Sequence, residues 1–313
     1  ITPIKTFPIH EVNIGGVWTR VTRYVFGLQS GWPRGHQAGT VMAMAALGDK
    51  HKYFFDFYNM LERDSQAASF KPSGQPKGAN VGTAAGLQAA TERYMFNLLT
   101  KFVDEHDHNT NICFAGGVSL NSVIMGKCLE WFKDKNLYVT PTPHDGGLTL
   151  GAAQYIWHHV LDNPRITWKD NFTPYLGVDH TDKVKSTIDA MQDKIDARVS
   201  DIDEVVDLLD QQNIVAVFGG GSESGRRALG NRSILADPRS EDMKSTINEK
   251  VKHRQWFRPF APSILRSKVG EWFENDKDSP YMSFVVKFKQ EAKDKVPAVV
   301  HFDDTARLQT VTE

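Results

Sequence analysis

The chain has 313 residues, 40% hydrophobic and 24% charged, which is ordinary for a soluble globular protein of about two domains. Lys and Arg total 37 against 38 Asp and Glu, so the net charge of -1 argues against a generic polyanion binder and leaves open only a local basic groove near Arg20, Arg23 and Arg34. No apolar run approaches the roughly 18 residues of a membrane-spanning helix, Ile1–Val12 has no signal pattern, and the two cysteines, Cys113 and Cys128, make neither a disulfide scaffold nor a four-cysteine zinc site. A cytoplasmic location without membrane contact is expected.

In chain order, Val17–Phe26 is rich in β-branched and aromatic residues at an ambiguous spacing, and Gly31-Trp32-Pro33-Arg34-Gly35 is a breaker. Thr40–Leu47 reads as a short helix ended by Gly48, 68–80 as a polar loop, and Gly82–Val103 as a helix, with Leu87, Met95, Leu98 and Leu99 near one side. Asn111–Ala115 reads as a strand, Leu120–Lys133 as a helix, Leu137–Thr140 as a strand and Leu148–Leu161 as a helix. This alternation predicts an α/β layer. Residues 162–182 lack periodicity and read as an interdomain connection. A second α/β unit follows, with a helix over Ile202–Leu209, a buried strand over Ile214–Phe218, a short helix closing at Trp272-Phe273 and an alternating strand over Met282–Lys289. The sequence opens on Ile1 and stops at Thr312-Glu313 after a strand-like run, so both ends read as cut.

Five segments are candidates for chemistry. Gly116-Gly117 leads to Asn121 between a strand and a helix, either a phosphate-cradling turn or a tight packing turn. His144-Asp145-Gly146-Gly147 follows a strand; Asp145 either holds a metal or nucleotide or caps the next helix. Gly219–Ser233 carries Arg226, Arg227 and Arg232 among glycines, where bidentate capture of phosphate or carboxylate suits them better than a solvated face does. Asn248–Pro262 interleaves Lys252, His253, Arg254 and Arg258 with Trp256, Phe257 and Phe260; it reads as a nucleic-acid stacking patch or, with Pro259 and Pro262 fixing the chain, as a rigid small-anion pocket. Pro297–Val311 places His301, Asp303, Asp304 and Arg307 after a strand-like run, with His301 either structural or part of a polar site. If Arg227, Arg232, Lys252, Arg258 and Arg307 converge, their ligand is a small, highly charged anion such as a phosphate.

The segments GGGSESGRRALGNRSILADPR, NEKVKHRQWFRPFAPSIL, SPYMSFVV and VPAVVHFDDTARLQTV, with CFAGGVSLNSVIMGKCL and PTPHDGGLTLGAAQ before them, resemble the ATP-dependent O-carbamoyltransferases over roughly residues 15–313. The resemblance implies an α/β chain with a Kae1-like domain of the actin and sugar-kinase ATPase type (1–165), a linker (166–182) and a YrdC-like domain (183–313). It implies that carbamoyl phosphate and ATP form a carbamoyl-adenylate and pyrophosphate, and that the carbamoyl group passes to a hydroxyl with a bound divalent metal, iron or Mg/Mn. Arg227, Lys252, Arg258 and Arg307 match its carbamoyl-phosphate-binding cations, Asp145 its metal-ligand aspartate, and Gly116, Gly117 and Asn121 its nucleotide-contacting turn, with Gly146 and Gly147 assigned to the nucleotide as well. Glu223, Arg232 and His301 are further candidate contacts to the anion or nucleotide. The acceptor is a small-molecule hydroxyl or a hydroxymethylated pyrimidine of nucleic acid, and a homodimer is possible.

The chain departs from the family at Thr40, Ala43, Met44, Arg226 and Asp303-Asp304-Thr305. The family's H-x-x-x-H metal histidines are expected before Ile1 and its Asn-Thr-Ser-Phe-Asn motif after Glu313, so incomplete turnover is expected of the chain as given. The rival readings are a non-catalytic nucleotide-binding homologue and a threonylcarbamoyl-type tRNA-modifying enzyme; GRRALGNRS favours the O-carbamoyltransferases.

Overall fold

A computed structural model describes residues 3–28, 37–63, 81–165 and 173–312. The breaker with Arg34, the 68–80 loop and residues 166–172 of the expected linker lie outside the described residues.

The ambiguous stretch at Val17–Phe26 is helical. Helix α1, Ile14–Arg20, runs on through a wide turn at Val21–Val25, and the Asn13 side chain caps it by accepting from the Gly16 N–H at 2.9 Å. Burial of Val17, Trp18 and Val21 overrides their strand propensity, and Trp18 Nε1–H donates to Thr91 Oγ1 at 3.0 Å. Helix α2, Ala38–Met44, tightens at Ala45–Leu47 and stops at Gly48 as expected. Helix α3, Phe54–Arg63, packs on α4, Val81–Glu105, whose buried Gly82, Ala84, Ala85, Gly86 and Ala90 let neighbours approach closely.

Strands β1, Asn111–Phe114, and β2, Asn136–Val139, are joined by helix α5, Ser122–Trp131, and pair in parallel with Asn111 opposite Asn136. A parallel pair needs such a crossover. Helix α6, Leu148–Tyr155, continues to Val160 and leaves Leu148, Ile156, Val160 and Leu161 exposed.

Helix α7, Thr181–Ala190, begins inside the expected linker because Asp179 Oδ1 accepts the Thr181 N–H at 2.9 Å and starts the turn. Helix α8, Ile202–Asp210, is capped by Asp201, which accepts from the Glu204 N–H at 2.9 Å. The remaining elements are β3 (Val215–Phe218), β4 (Arg232–Leu235), α9 (Met243–Thr246), β5 (Ser263–Leu265), α10 (Val269–Trp272), β6 (Val285–Lys287), α11 (Gln290–Lys293), β7 (Thr305–Arg307) and β8 (Gln309–Val311). Strands β3–β4 and β6–β7 are antiparallel and β5–β8 parallel, so this is a mixed α/β structure of small sheets among the described residues. The alternation read over Met282–Lys289 survives in buried Phe284, Val286 and Phe288 flanking and within β6. The strand-like run at Pro297–Val300 instead starts with a tight helical turn, Pro297–Val299, since proline has no N–H for a ladder and the turn buries Ala298 and Val299.

One core draws on both halves of the chain, with Leu87, Ile124 and Met125 meeting Phe273, Phe288 and Leu308 in the same cluster. Helix α5 lies against β6 so closely that a Cβ on Gly126 would stand 1.9 Å from the Val285 carbonyl oxygen. Gly126→Ala is therefore expected to cost about 1–3 kcal/mol by overpacking. Thermal unfolding checks this, and an unchanged midpoint would contradict the α5–β6 contact. Burial pushes the Cys128 thiol up to about 12, so it acts as a core side chain rather than a nucleophile. Among the described residues no helix is long and apolar enough to cross a membrane.

Candidate active site

The glycine turns of the first half are largely self-satisfied. Gly116 N–H donates to the Pro143 carbonyl at 2.6 Å, tying the turn after β1 to the turn after β2. Asn121 caps α5, accepting from the Ile124 N–H at 3.2 Å, while its Nδ2 donates to Gln88 Oε1 at 2.9 Å. Gly147 N–H donates to the His144 carbonyl at 2.8 Å, and Gly146 N–H to His144 Nδ1 at 2.9 Å. The capping expected of Asp145 is thus supplied by His144, and the Asp145 side chain is exposed beside it. These bonds hold the backbone amides of Gly116, Gly146 and Gly147 within the protein.

The arginine-bearing loop is built around one carboxylate. Glu223 has a side chain with 0% exposure and accepts from the Leu229 N–H at 2.9 Å, the Asn231 N–H at 2.8 Å and Arg232 Nε at 2.7 Å. Arg232 also donates from Nη2 to the Gly225 and Arg227 carbonyls at 2.7 and 3.1 Å. Glu223 is therefore framework of the loop, while Arg232, tied to it through Nε, also lines the cavity described below. The expected linker supports the same loop, since Gly177 N–H donates to the Ser222 carbonyl at 2.9 Å and Ser224 N–H to the Pro174 carbonyl at 2.7 Å. Gly225, at φ +99°, brings the loop onto the first half: a Cβ there would stand 2.2 Å from the Pro141 carbonyl oxygen. Next to it, Arg227 Nη2 donates to the Leu120 carbonyl at 3.2 Å.

The other cations come from two further segments. Asn248 Nδ2 donates to the Trp256 and Arg258 carbonyls at 3.2 and 3.0 Å, fixing the loop that carries Lys252, Arg254 and Arg258. Arg254 donates to Asn248 Oδ1 at 2.7 Å and lies 4.8 Å above the Phe260 ring. Arg307 projects from β7 with its Nε sealed from solvent and unpartnered, and its Nη2 lies 3.9 Å from Met282 Sδ.

These segments share one cavity of about 1860 Å³, lined by Asp145, Arg227, Lys252, Arg258, His301 and Arg307 among others. The structure thus brings together the predicted cations, while Gly116, Gly146, Gly147 and Glu223 lie outside the lining among the described residues. Burial, and then the charges of Arg227, Arg254 and Arg258, hold the Arg307 guanidinium well below its ordinary pKa. Burial and then Arg226 push Arg227 down to about 10, burial and then Arg258 do the same for Arg254, and burial lowers Arg258. Among the described residues none of these four guanidiniums forms an ion pair with a carboxylate. Clustered, partly desolvated cations without counterions stabilise whatever multiply charged anion enters.

Two further groups join the candidate site. Arg254, named in its segment but not among the cations expected to converge, is one of the converging guanidiniums. Glu92 lies on the first-half wall, where desolvation raises its pKa above the usual carboxylate range against the lowering bond from Gln88 Nε2 at 2.8 Å. Its only sequence signal is the spacing from Gln88 on α4, which looks like any exposed helix face. For a metal, Asp145 offers one hard oxygen, but among the described residues no group of three or more His, Cys, Asp or Glu is placed to hold an ion.

Comparison with known proteins gives two family-model matches: "Carbamoyltransferase N-terminus" over residues 49–154 and "Carbamoyltransferase C-terminus" over 206–313. Nodulation protein NolO of Bradyrhizobium diazoefficiens is 33% identical over 100% of this chain and 60% of its own length. Nodulation protein U of Sinorhizobium fredii is 30% identical over 91% of this chain and 54% of its own, and the uncharacterized protein sll1178 of Synechocystis is 38% identical over 73% and 41%. The chain thus spans about half the length of the curated relatives it matches.

Proposed function

Because the chain belongs to the carbamoyltransferase family, we propose that it takes part in an ATP-dependent O-carbamoyl transfer, with the cation cluster as its carbamoyl-phosphate site. The observation that supports this reading is the meeting of Arg227, Arg254, Arg258 and Arg307 in one cavity without carboxylate partners among the described residues. Carbamoyl phosphate, ATP and water give carbamoyl-adenylate, pyrophosphate and inorganic phosphate. The acceptor hydroxyl oxygen then attacks the carbamoyl carbon and AMP leaves. The guanidiniums neutralise the phosphate oxygens and the charge that builds on the adenylating phosphorus. Glu92, a carboxylate on the first-half lining of the same cavity, is the group assigned to receive the hydroxyl proton. The reading keeps a Kae1-like first half and a YrdC-like second half as its architecture, and a small-molecule hydroxyl or hydroxymethylated nucleobase as its acceptor class. A divalent metal at Asp145 would supply charge for the transfer step; the ligands around it are not complete among the described residues.

Calorimetric titration tests the anion site. Carbamoyl phosphate binds the parent, and Arg258→Ala weakens it by about 10–100-fold, the loss of a charge-assisted bond of about 1.5–3 kcal/mol. Equal affinity in parent and variant would remove Arg258 from the site.

A further inference from the structure

Arg226 stands where the arginine loop meets the first half of the chain. It follows Gly225, the residue pressed against the Pro141 carbonyl, and its exposed side chain lines the same cavity as the cation cluster. Burial, and then the Arg226 charge, lower the pKa of His144 on the first half and of Arg227 on the second. At His144 the Arg226 charge outweighs the opposing Asp145 carboxylate, so the field there is that of a cation. Arg307 is held down by burial and then by Arg227, Arg254 and Arg258, with no part from Arg226. Arg226 thus extends the cationic wall away from Arg307 and toward the His144-Asp145 turn. Its side chain forms no ion pair or hydrogen bond among the described residues, so the guanidinium is free to meet a ligand.

The cavity, at about 1860 Å³, exceeds the roughly 300–1,000 Å³ of an ordinary ligand pocket, so it has room for a second ligand beside carbamoyl phosphate. Arg226 is also one of the positions at which the chain departs from its family. The substrates proposed for the shared reaction, carbamoyl phosphate and ATP, therefore do not call for it, and what remains for it is the compound that receives the carbamoyl group. We propose that Arg226 binds a phosphate carried by the acceptor itself, so that the acceptor is a phosphorylated hydroxyl compound, a nucleotide or a sugar phosphate, rather than a neutral alcohol. This proposal rests on the carbamoyl-transfer reading of the cavity. A guanidinium presents parallel N–H donors that match two phosphate oxygens, and one without a carboxylate partner gives up no ion pair when the phosphate arrives.

The test is affinity, measured by calorimetry with carbamoyl phosphate saturating, for two acceptor pairs: hydroxymethylated deoxycytidine against its monophosphate, and glucose against glucose 6-phosphate. The parent binds the phosphorylated member of at least one pair about tenfold tighter, the lower end for a charge-assisted bond because Arg226 is exposed. Arg226→Gln brings that ratio to about one, and Arg226→Lys, which keeps the charge but not the planar fork, retains part of it. Carbamoyl phosphate and ATP, titrated separately, keep their affinities within about twofold in Arg226→Gln, the effect of a screened neighbouring charge. The pair that shows the ratio identifies the acceptor scaffold. A parent ratio near one in both pairs, no binding of any of the four compounds, or a ratio unchanged in Arg226→Gln overturns the proposal. So does a loss of ATP affinity as large as that ratio, which assigns the cation to the polyphosphate instead. If the parent shows the Arg226-dependent preference yet does not bind carbamoyl phosphate, the reaction proposed above fails while this contact stands.

Discussion

Arg307→Met is expected to melt about 1–2 °C above the parent in the absence of ligand while losing carbamoyl-phosphate binding altogether. The Arg307 Nε is buried and unpartnered, and the guanidinium faces the charges of Arg227, Arg254 and Arg258. Methionine keeps the length of the side chain, packs beside Met282, and removes one charge from the crowd. Relief of about 1 kcal/mol, set against an unfolding entropy of about 2.1 cal/mol/K per residue, gives that shift for 313 residues. Inorganic phosphate should raise the melting point of the parent and leave that of Arg307→Met unmoved, because binding stabilises only the state that binds. A variant that melts below the parent, or that still responds to phosphate, would show that Arg307 is structural.

Glu223→Ala should have the largest effect on the loop. It removes the acceptor for two backbone N–H groups and for Arg232 Nε. Each buried amide left unpaired costs about 1–3 kcal/mol, so a total of roughly 3 kcal/mol is expected, read as a lower denaturant midpoint. Anion affinity falls with it, since Arg227 sits in the same loop. Arg232→Ala is expected to be much milder: the Arg232 side chain is 46% exposed, and the carboxylate keeps its two backbone donors. Equal losses from the two substitutions would contradict this division of labour.

Local features of the chain were legible in the sequence because their causes are local. Periodicity placed α4, and the helices expected over Leu148–Leu161 and Ile202–Leu209 are found as α6 with its continuation to Val160 and as α8. The crossover β1–α5–β2 followed from apolar runs separated by glycine turns. What required the fold was any property set by partners distant in sequence. Val17–Phe26 is helical because Trp18 and Val21 are buried against α4 and its neighbours, a fact its composition does not carry. Gly116 and Asn121 resemble ligand contacts in sequence, but their polar groups meet Pro143, Ile124 and Gln88. Glu223 resembles an anion contact until it is seen to accept from Arg232 and from two backbone amides. Conversely, Glu92 and Arg254 gain their character only from desolvation and from neighbouring charges.

Release of pyrophosphate from ATP, measured with and without carbamoyl phosphate for the parent chain and for Arg258→Ala side by side, tests the central claim most directly. The account predicts release that depends on carbamoyl phosphate in the parent and is lost in the folded variant. Release that ignores carbamoyl phosphate, or that survives Arg258→Ala at the parent rate, would contradict it.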